Sequence, residues 1–599
     1  MPTKTSKRIY GYLALIGSTT GLGCSFLLGE MKTSNCTTNQ DCVNLAATNK
    51  LYNGSLCIDS VCALPESALK DSGPDTTPEC VHNVDCSKAL GGAPAVCVKN
   101  PTETHCAPLE GSNCVLATAA NIKFPNWVDD ESIIVAHIER PDAQPHNLHS
   151  LWSSSLAFSE INRFGIPSVT GGLVQRIVKL DCSYAGDTAP AMIDHLSRAG
   201  VAGVIGVGQS EASLQIVPLA VAANIFTLAT RVVSSTFTSQ DDQGLFWRVS
   251  PPSTYEAIAL NRYMPKLETE VRAFYPSPGG IPADSLIKLT LIAQTGNYGD
   301  SMANTFRPQL SFNQDATGGP SSTASAGLYE DLSFTQGVDG HDATAMVNAL
   351  LVSKPHIIVY LGGTELLSGT GVVSRVEKAW TETKYRPFWV FAGVVAADPI
   401  GIAGPSLALA NLPYPNMKER LRGVWSDPFR HPQFEDFLAN FDPKFGFTPG
   451  FYSQDTHYAY DAAYFLAYAH YAAMVAKKSP RLTGRDVKEG AKLLLPSGIP
   501  KPFEVGPGSQ DERVQEIFTA LSSGASIDLQ GTSGTLDFNP NTGEIDGNTT
   551  RQPILCAGTC TSTTHPPCTV GSGVPVLKES GLTWVPKPPA AFEGSYSCP

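Results

Sequence analysis

The stretch VAGVIGVGQSEASL, residues 201–214, decides the fold of this chain. It opens with a small apolar run, Val201 to Val207, short and β-branched, as a strand buried on both faces of a sheet requires. Gly206 and Gly208 allow a tight turn, and Gln209, Ser210 and Glu211 lead into a helical pattern over Ala212 to Ala222. A strand that ends in a Gly/Ser turn at a helix start leaves N–H groups without intrahelical partners. Those donors and the positive end of the helix dipole favour a carboxylate or another polar group. The turn is therefore read as one wall of a ligand site, the alternative being a plain strand-to-helix connection that binds nothing. A dinucleotide loop does not fit: Ala212 stands where the third glycine is needed, and Arg231 lies about where the ribose-binding acid belongs.

Outward from this turn, strands alternate with helical patterns. In the N-terminal direction lie a strand at Ile133 to Ile138, a helix at Leu148 to Phe164, a strand at Leu173 to Leu180 ending in Asp181, and a helix at Ala189 to Ala199. Ile225 to Ala229 is the next strand. After a break at Arg248 to Ser253 the alternation restarts. Ile287 to Ala293, Leu328 to Phe334, Ile357 to Leu361 and Phe388 to Phe391 are strands, with helices at Tyr298 to Leu310, Ala343 to Val352 and Leu366 to Ala379. Beyond Trp425 the pattern is helical at His431 to Phe441, His457 to Ala476 and Thr483 to Leu494, and a Gly-rich β segment follows near Ile527 to Phe538. Such alternation calls for parallel sheets covered on both faces, here two sets in succession.

Composition bounds the partners. With 599 residues the chain has room for several domains. A net charge of −13 argues against nucleic acid. Charged residues make up only 16 %, against 53 glycines and 45 prolines, so the surface rests on neutral polar groups and turns, as in many secreted proteins. Lys4, Lys7 and Arg8 precede an apolar stretch from Ile9 to Leu22, followed by Gly23-Cys24, which describes an export signal. Its end resembles a bacterial lipoprotein signal with Cys24 as the lipidated first mature residue, although Gly21 stands where a branched aliphatic residue is usual. The alternative is that Ile9 to Leu28 remains as a weak membrane anchor. Either way the body is expected outside the cytoplasm.

The chain has 15 cysteines, and removing Cys24 leaves an even number, so disulfides are the default in that compartment. Two repeats carry eight of them: Cys36-x5-Cys42-x14-Cys57-x4-Cys62 and Cys80-x5-Cys86-x10-Cys97-x8-Cys106. Units of ~30 residues bury little core and need two bridges each. Zinc fits poorly, since no C-x2-C knuckle is present. In the tail, Cys556, Cys560, Cys568 and Cys598 read as two bridges rather than a metal site with His565, and Cys114 and Cys182 remain as a pair by elimination. The repeats are expected to be a spacer that holds the main body off the membrane.

The residues also resemble a known family, the type I periplasmic solute-binding proteins of the branched-chain amino acid-binding kind. The marks run in the family's order. They are Glu160-Ile-Asn-Arg-Phe-Gly165, the strand ending at Asp181, the Gly206 to Ser210 turn, Phe246-Trp-Arg-Val-Ser-Pro251, Gly296-Asn-Tyr-Gly-Asp300, Tyr458-Ala-Tyr-Asp-Ala462 and Gly531-Thr-Ser-Gly534 running to Phe538. The resemblance implies a two-lobe α/β fold with two doubly wound parallel sheets, three hinge crossings and a small-molecule ligand trapped between the lobes. The expected divisions are 1–23 signal peptide, 24–112 Cys-rich spacer, 131–250 plus 428–497 lobe 1, 254–424 plus 500–550 lobe 2, and 551–599 a disulfide-pinned tail. The crossings are expected near Arg248 to Ser253, Val424 to Asp427 and Pro496 to Pro502.

By position the resemblance assigns ligand contacts to Gln209 and Ser210, to Val232, Ser234 and Ser235 on the next loop, and to Tyr298, Thr364 and Glu365 from lobe 2. One departure matters. The lobe-2 glutamate that meets an amino acid's ammonium is missing from Ala392 to Ala397, so Glu365 or Asp398 takes that role or the ligand is not an α-amino acid. The expected activity is solute binding by a monomer that hands its ligand to a membrane transporter or sensor, with no cofactor and no resident metal. The competing use of the same fold is a surface sensory or adhesion lipoprotein. A hydrolase is disfavoured: VGQSEAS lacks the second glycine of a nucleophile elbow, and His137, His146, His149, His341 and His457 show no triad or metal spacing.

Overall fold

The structure is a computed structural model. It describes residues 80–99, 104–117, 130–140, 145–171, 175–184, 186–313, 327–335, 343–363, 366–367, 371–392, 413–424, 432–445, 456–495, 502–508 and 511–545, with strand segments at 56–58, 61–63, 552–556, 573–578 and 581–586. Cys24 and the export signal, the C-terminal cysteines' side chains, Thr364, Glu365 and Asp398 lie outside the described residues. Among the described residues no helix is long and apolar enough to cross a membrane.

The second cysteine repeat forms a helix, α1 (Asn83–Ala89), and a hairpin of β1 (Ala95–Lys99) and β2 (Thr104–Pro108). Cys80–Cys97 and Cys86–Cys106 bridge it, and its core is little more than those cysteines and Ala95. It is not a free spacer. Val96, Ala107 and Leu109 join the apolar cluster of the first lobe, and His195 Nε2 lies 3.1 Å from the Leu109 carbonyl oxygen. The next strand, β3 (Cys114–Leu116), enters the first sheet directly and is bonded through Cys114–Cys182, the pair left by elimination. The first lobe therefore begins near Cys114 rather than at 131.

Its sheet continues with β4 (Ile133–Glu139), α2 (Pro145–Phe164), β5 (Ile177–Ser183), α3 (Ala189–Arg198), β6 (Gly203–Gly206), α4 (Ser210–Ala222), β7 (Phe226–Ala229) and β8 (Phe246–Arg248). The central order β8-β7-β6-β4-β5 is parallel throughout, and β3 lies antiparallel on β5 at the edge. Along β4 the side chains alternate in face. Ile133 and Val135 enter one apolar cluster, and Ile134, Ala136 and Ile138 the other, as a strand covered on both sides dictates.

After the crossing at Arg248 the second lobe is built from α5 (Ser253–Phe274), β9 (Leu289–Thr295), α6 (Asn297–Gln309), β10 (Tyr329–Thr335), α7 (Thr344–Ser353), β11 (Ile357–Leu361), α8 (Val372–Ala379), β12 (Phe388–Ala392) and β13 (Leu421–Val424). Its parallel order is β10-β9-β11-β12-β13, with one apolar cluster under α5 and α6 and another under α7 and α8. Two doubly wound parallel sheets are thus observed, as expected.

The chain returns to the first lobe with α9 (Pro432–Phe445), α10 (Thr456–Lys477) and α11 (Gly484–Lys492). Every residue of α10 from Thr456 to Met474 is buried. The next segment corrects the sequence reading. β14 (Pro502–Glu504), α12 (Glu512–Ser522), β15 (Asp528–Gly531), β16 (Gly534–Thr535), β17 (Phe538–Asn539) and β18 (Glu544–Ile545) stay with the first lobe. Phe518 packs on Tyr468 and Tyr471, Phe538 packs on Trp247 and Phe465, and β18 pairs with β8. Residues 500–550 therefore do not belong to lobe 2. The return to the second sheet lies between Ile545 and Gln552, where β19 (Gln552–Cys556) pairs with β13, and not near Pro496 to Pro502. In the tail, β20 (Gly573–Lys578) and β21 (Gly581–Pro586) extend that second sheet.

Several of the resemblance marks hold one another in place. Glu160 on α2 accepts from Tyr460 OH at 2.6 Å and Tyr464 OH at 2.9 Å on α10. Asp461 accepts from the Thr532 N–H and hydroxyl at 2.8 Å, and from the Ser533 N–H at 2.7 Å and hydroxyl at 2.5 Å. Four donors on one buried carboxylate fix the turn after β15 to the central helix.

Candidate functional site

In parallel α/β sheets ligands collect at the C-terminal strand ends, where loops bring polar groups together. In the first lobe this edge is formed by the residues after β4, β6 and β7. The β6–α4 turn places Gly206, Val207 and Gly208 at φ +94°, +66° and +67°. Both glycines are required on two counts: conformation, and space. A Cβ at Gly206 would lie 2.5 Å from the His137 ring, and one at Gly208 would lie 2.7 Å from the Tyr184 hydroxyl oxygen. Val207 is a β-branched residue in the left-handed region, an outlier sustained because its side chain is fully buried in the apolar cluster and its N–H donates to Ile138 O at 2.8 Å.

The turn delivers Gln209 as the N-cap of α4, yet its side chain makes no cap hydrogen bond. Its amide oxygen instead accepts from Arg140 Nη1 at 3.2 Å. Arg231, after β7, donates to Glu139 Oε1 at 3.3 Å. Arg140, Glu139, Gln209 and Arg231 thus form a charged and amide-bearing network at the outer part of the edge. The sequence reading gave Arg140 and Glu139 no role. The signal was their position directly at the end of a buried strand.

Ser210 is buried, and its hydroxyl accepts from the Ser234 N–H at 3.2 Å, so these two expected ligand residues are brought together. Val232 presents its side chain to the apolar cluster rather than to the edge. Its carbonyl accepts from Arg248 Nη1 at 3.3 Å. Arg248 also donates to Ser234 O at 2.6 Å and pairs with Glu544, so the F-W-R mark clamps the whole loop from behind. Ser234 and Ser235 point to the second lobe: Ser234 Oγ donates to Asn297 O at 3.0 Å, and the Ser235 N–H donates to Ser301 Oγ at 2.8 Å.

In the second lobe Gly296, at φ +111°, N-caps α6, and its N–H donates to Asp300 Oδ2 at 2.9 Å. Tyr298 is half-buried and packs on the apolar cluster of its own lobe. At the end of β11, Gly363 N–H donates to Gln294 Oε1 at 2.7 Å, leading into the segment where Thr364 and Glu365 follow.

Under α2 lies a buried polar group. His137 Nδ1 is 2.7 Å from Ser154 Oγ, and Nε2 is 3.7 Å from Glu139 Oε2. A serine, a histidine and a carboxylate in sequence invite a catalytic reading. All three side chains are enclosed, however, and Ser154 Oγ donates to Leu151 O at 2.9 Å within its own helix. Burial also pushes the His137 pKa down. Next to it Lys179 Nζ, fully buried, sits 2.7 Å from Asp181 and 2.7 Å from Leu151 O. The cluster anchors α2 on the strands. A three-cysteine grouping at Cys80, Cys86 and Cys97 has the proximity of a metal site, but its sulfurs are in disulfides.

No protein-family model matches the sequence, and no curated protein matches it. Solved structures similar in outline include the branched-chain amino acid transporter substrate-binding protein LivJ from Streptococcus pneumoniae in complex with isoleucine. It is 13 % identical, over 75 % of this chain and 99 % of that one, with a TM-score of 0.48. The leucine-binding protein LivK from Thermotoga maritima is 13 % identical over 76 % and 99 %, with a TM-score of 0.43. A fatty acid ABC transporter substrate-binding protein from Thermomonospora curvata is 11 % identical over 76 % and 94 %, with a TM-score of 0.47.

Proposed function

We propose that this chain is an extracytoplasmic solute-binding lipoprotein that traps a small polar ligand, amino acid-like or amide, between its lobes and presents it to an ABC-type transporter or a sensor. The observation that carries this reading is the opposition of two C-terminal sheet edges. Ser234 on one, itself held by Ser210 on the same edge, donates directly to the Asn297 carbonyl on the other. Groups from both lobes engage a ligand only when the lobes approach, so a ligand shifts the equilibrium by its differential affinity for the two arrangements. Gln209, Ser210, Ser234, Ser235 and Tyr298, with Thr364 and Glu365 beyond the described residues, are the proposed contacts. Cys24 is the proposed lipidated anchor.

The test is native mass spectrometry of protein purified gently from its source membrane, with thermal unfolding against amino acids, amides and short peptides. A co-purifying small molecule, or stabilisation of ~2.7 kcal/mol at a hundredfold excess over Kd, establishes the receptor. No ligand and no stabilisation overturns it. One observation favours a second reading, a surface sensory or adhesion lipoprotein: Ser234 Oγ and the Ser235 N–H are engaged by the opposite lobe.

A further inference from the structure

The cleft residues are joined across the lobes by one serine that no sequence mark singled out. Ser301 lies in the second turn of α6 and is 6 % exposed. Its hydroxyl accepts from the Ser235 N–H at 2.8 Å, donates to Ser235 Oγ at 2.8 Å, and meets Ser253 Oγ at 3.0 Å. A hydroxyl offers one donor and two acceptor positions, and this arrangement fills all three. Two of the three bonds cross between lobes, and the third reaches the first residue of α5, just past the crossing at Arg248. Ser234 adds another inter-lobe bond, from its Oγ to Asn297 O.

The loop on the first-lobe side is not free to follow. Arg248 holds the carbonyls of Val232 and Ser234, and the Ser234 N–H is held by Ser210. Separating the lobes at this point therefore breaks the bonds to Ser301 rather than bending the loop. Serine side chains lose little rotamer entropy on ordering, so little offsets the gain. We propose that Ser301 is a positioning residue of the cleft: through it the second lobe holds the Ser234–Ser235 loop in a hydrogen-bonded seam that biases the lobes toward each other. Its role in solute capture rests on the proposed function; its geometry does not. With the seam in place, part of the work of closure is done before a ligand arrives.

The test uses the full chain without any ligand, so that failure of a ligand screen and failure of this proposal are separate results. Hydrogen exchange of the peptide spanning residues 232–238 and small-angle scattering are measured for wild type, Ser301→Ala and Ser301→Thr. One lost hydrogen bond of ordinary net strength shifts the near-to-apart ratio roughly 5-fold, and two shift it roughly 30-fold. Ser301→Ala is expected to speed exchange of that peptide by such a factor and to raise the radius of gyration. Peptides in β4 and β9 keep their protection, and Ser301→Thr restores both readouts. If Ser301→Ala does not fold, Ser235→Ala, which deletes only the hydroxyl–hydroxyl bond, is read the same way at roughly 5-fold. Equal exchange of the peptide in wild type and variant overturns the seam. Faster exchange with superimposable scattering curves overturns the bias, because the seam then persists however the lobes stand.

Discussion

The two lobes share an architecture, but the first-lobe core beneath α10 holds its buried carboxylates differently from the second lobe. In the second lobe they are matched by guanidinium groups, as Glu139 and Glu544 are at the first lobe's sheet edge by Arg231 and Arg248. Glu377 accepts from Arg420 at 2.6 and 2.8 Å and from Arg386 at 2.9 Å, and Glu270 accepts from Arg422 at 3.0 Å. In the core beneath α10 of the first lobe they are matched by neutral donors, hydroxyls on Glu160 and hydroxyls with backbone N–H groups on Asp461. A charge matched by a charge is costly to break, because the survivor is left bare. A charge matched by dipoles loses strength one bond at a time.

The largest effect is therefore expected in the second lobe. Arg420→Met leaves Glu377 buried with only Arg386 and the Trp389 indole N–H, and should cost about 3–5 kcal/mol in urea unfolding. Arg420→Met with Glu377→Met should recover most of that loss. If the double variant is as unstable as the single, the pair is not the source of the cost. In the first lobe, Asp461→Ala strips acceptors from two backbone N–H groups and two hydroxyls, and should cost roughly 3 kcal/mol. Hydrogen exchange should localise that loss to the turn after β15.

How much of this was legible in the sequence differs between strands and contacts. The buried strands at Ile133, Val201, Ile225 and Ile357 could be read because a parallel strand is a short apolar run whatever it packs on. α5 was missed: Pro265 and a scatter of charges blur its period. Residues 502–545 went to the wrong lobe because Phe518 and Phe538 announce only that they bury. Which sheet receives them is a long-range fact that no local pattern carries. The same holds for the site. Gly206 and Gly208 mark a turn by their own conformational freedom, whereas the pairing of Ser235 with Ser301 depends on how two sheets approach. Thr364 and Glu365 remain proposals from the resemblance.

Titration gives the next comparison. Burial holds His457 down at about 3 and His149 and His470 at about 4 in the first lobe, and lowers His137 as well; in the second lobe it holds His356 at about 4. A base whose folded pKa is depressed adds stability that is whole above its unfolded value near 6.5 and is lost as pH falls toward the folded value. Asp461 runs the other way. Burial raises it to about 6 against the donors around it, so it regains stability as pH falls from 6 to 3.8 and offsets about one histidine. His457 and His470 should each cost roughly 2 kcal/mol between pH 6.5 and 5. Lobe-resolved hydrogen exchange across that range should show the first lobe weakening faster. Equal slopes would mean that burial does not keep these rings neutral.

The smallest effect separates two rungs of one tyrosine ladder on α10. Tyr464 and Tyr468 are both fully buried, their rings 5.8 Å apart, and Tyr468 packs at 5.4 Å on Phe518. Tyr464 OH donates to Glu160, but among the described residues Tyr468 OH has no hydrogen-bond partner. Phenylalanine keeps the ring and its packing in each case, so only the hydroxyl is tested. Tyr464→Phe removes one of two tyrosine donors from a buried carboxylate and should cost about 1–2 kcal/mol. Tyr468→Phe removes a buried polar atom that gains nothing from its surroundings, and should be neutral or stabilising by up to about 1 kcal/mol. Denaturant midpoints of the two variants should fall on opposite sides of wild type, or one on it. A loss at Tyr468 equal to that at Tyr464 would place an ordered water on the second hydroxyl, and the ladder would then be hydrated along its length rather than anchored at Glu160 alone.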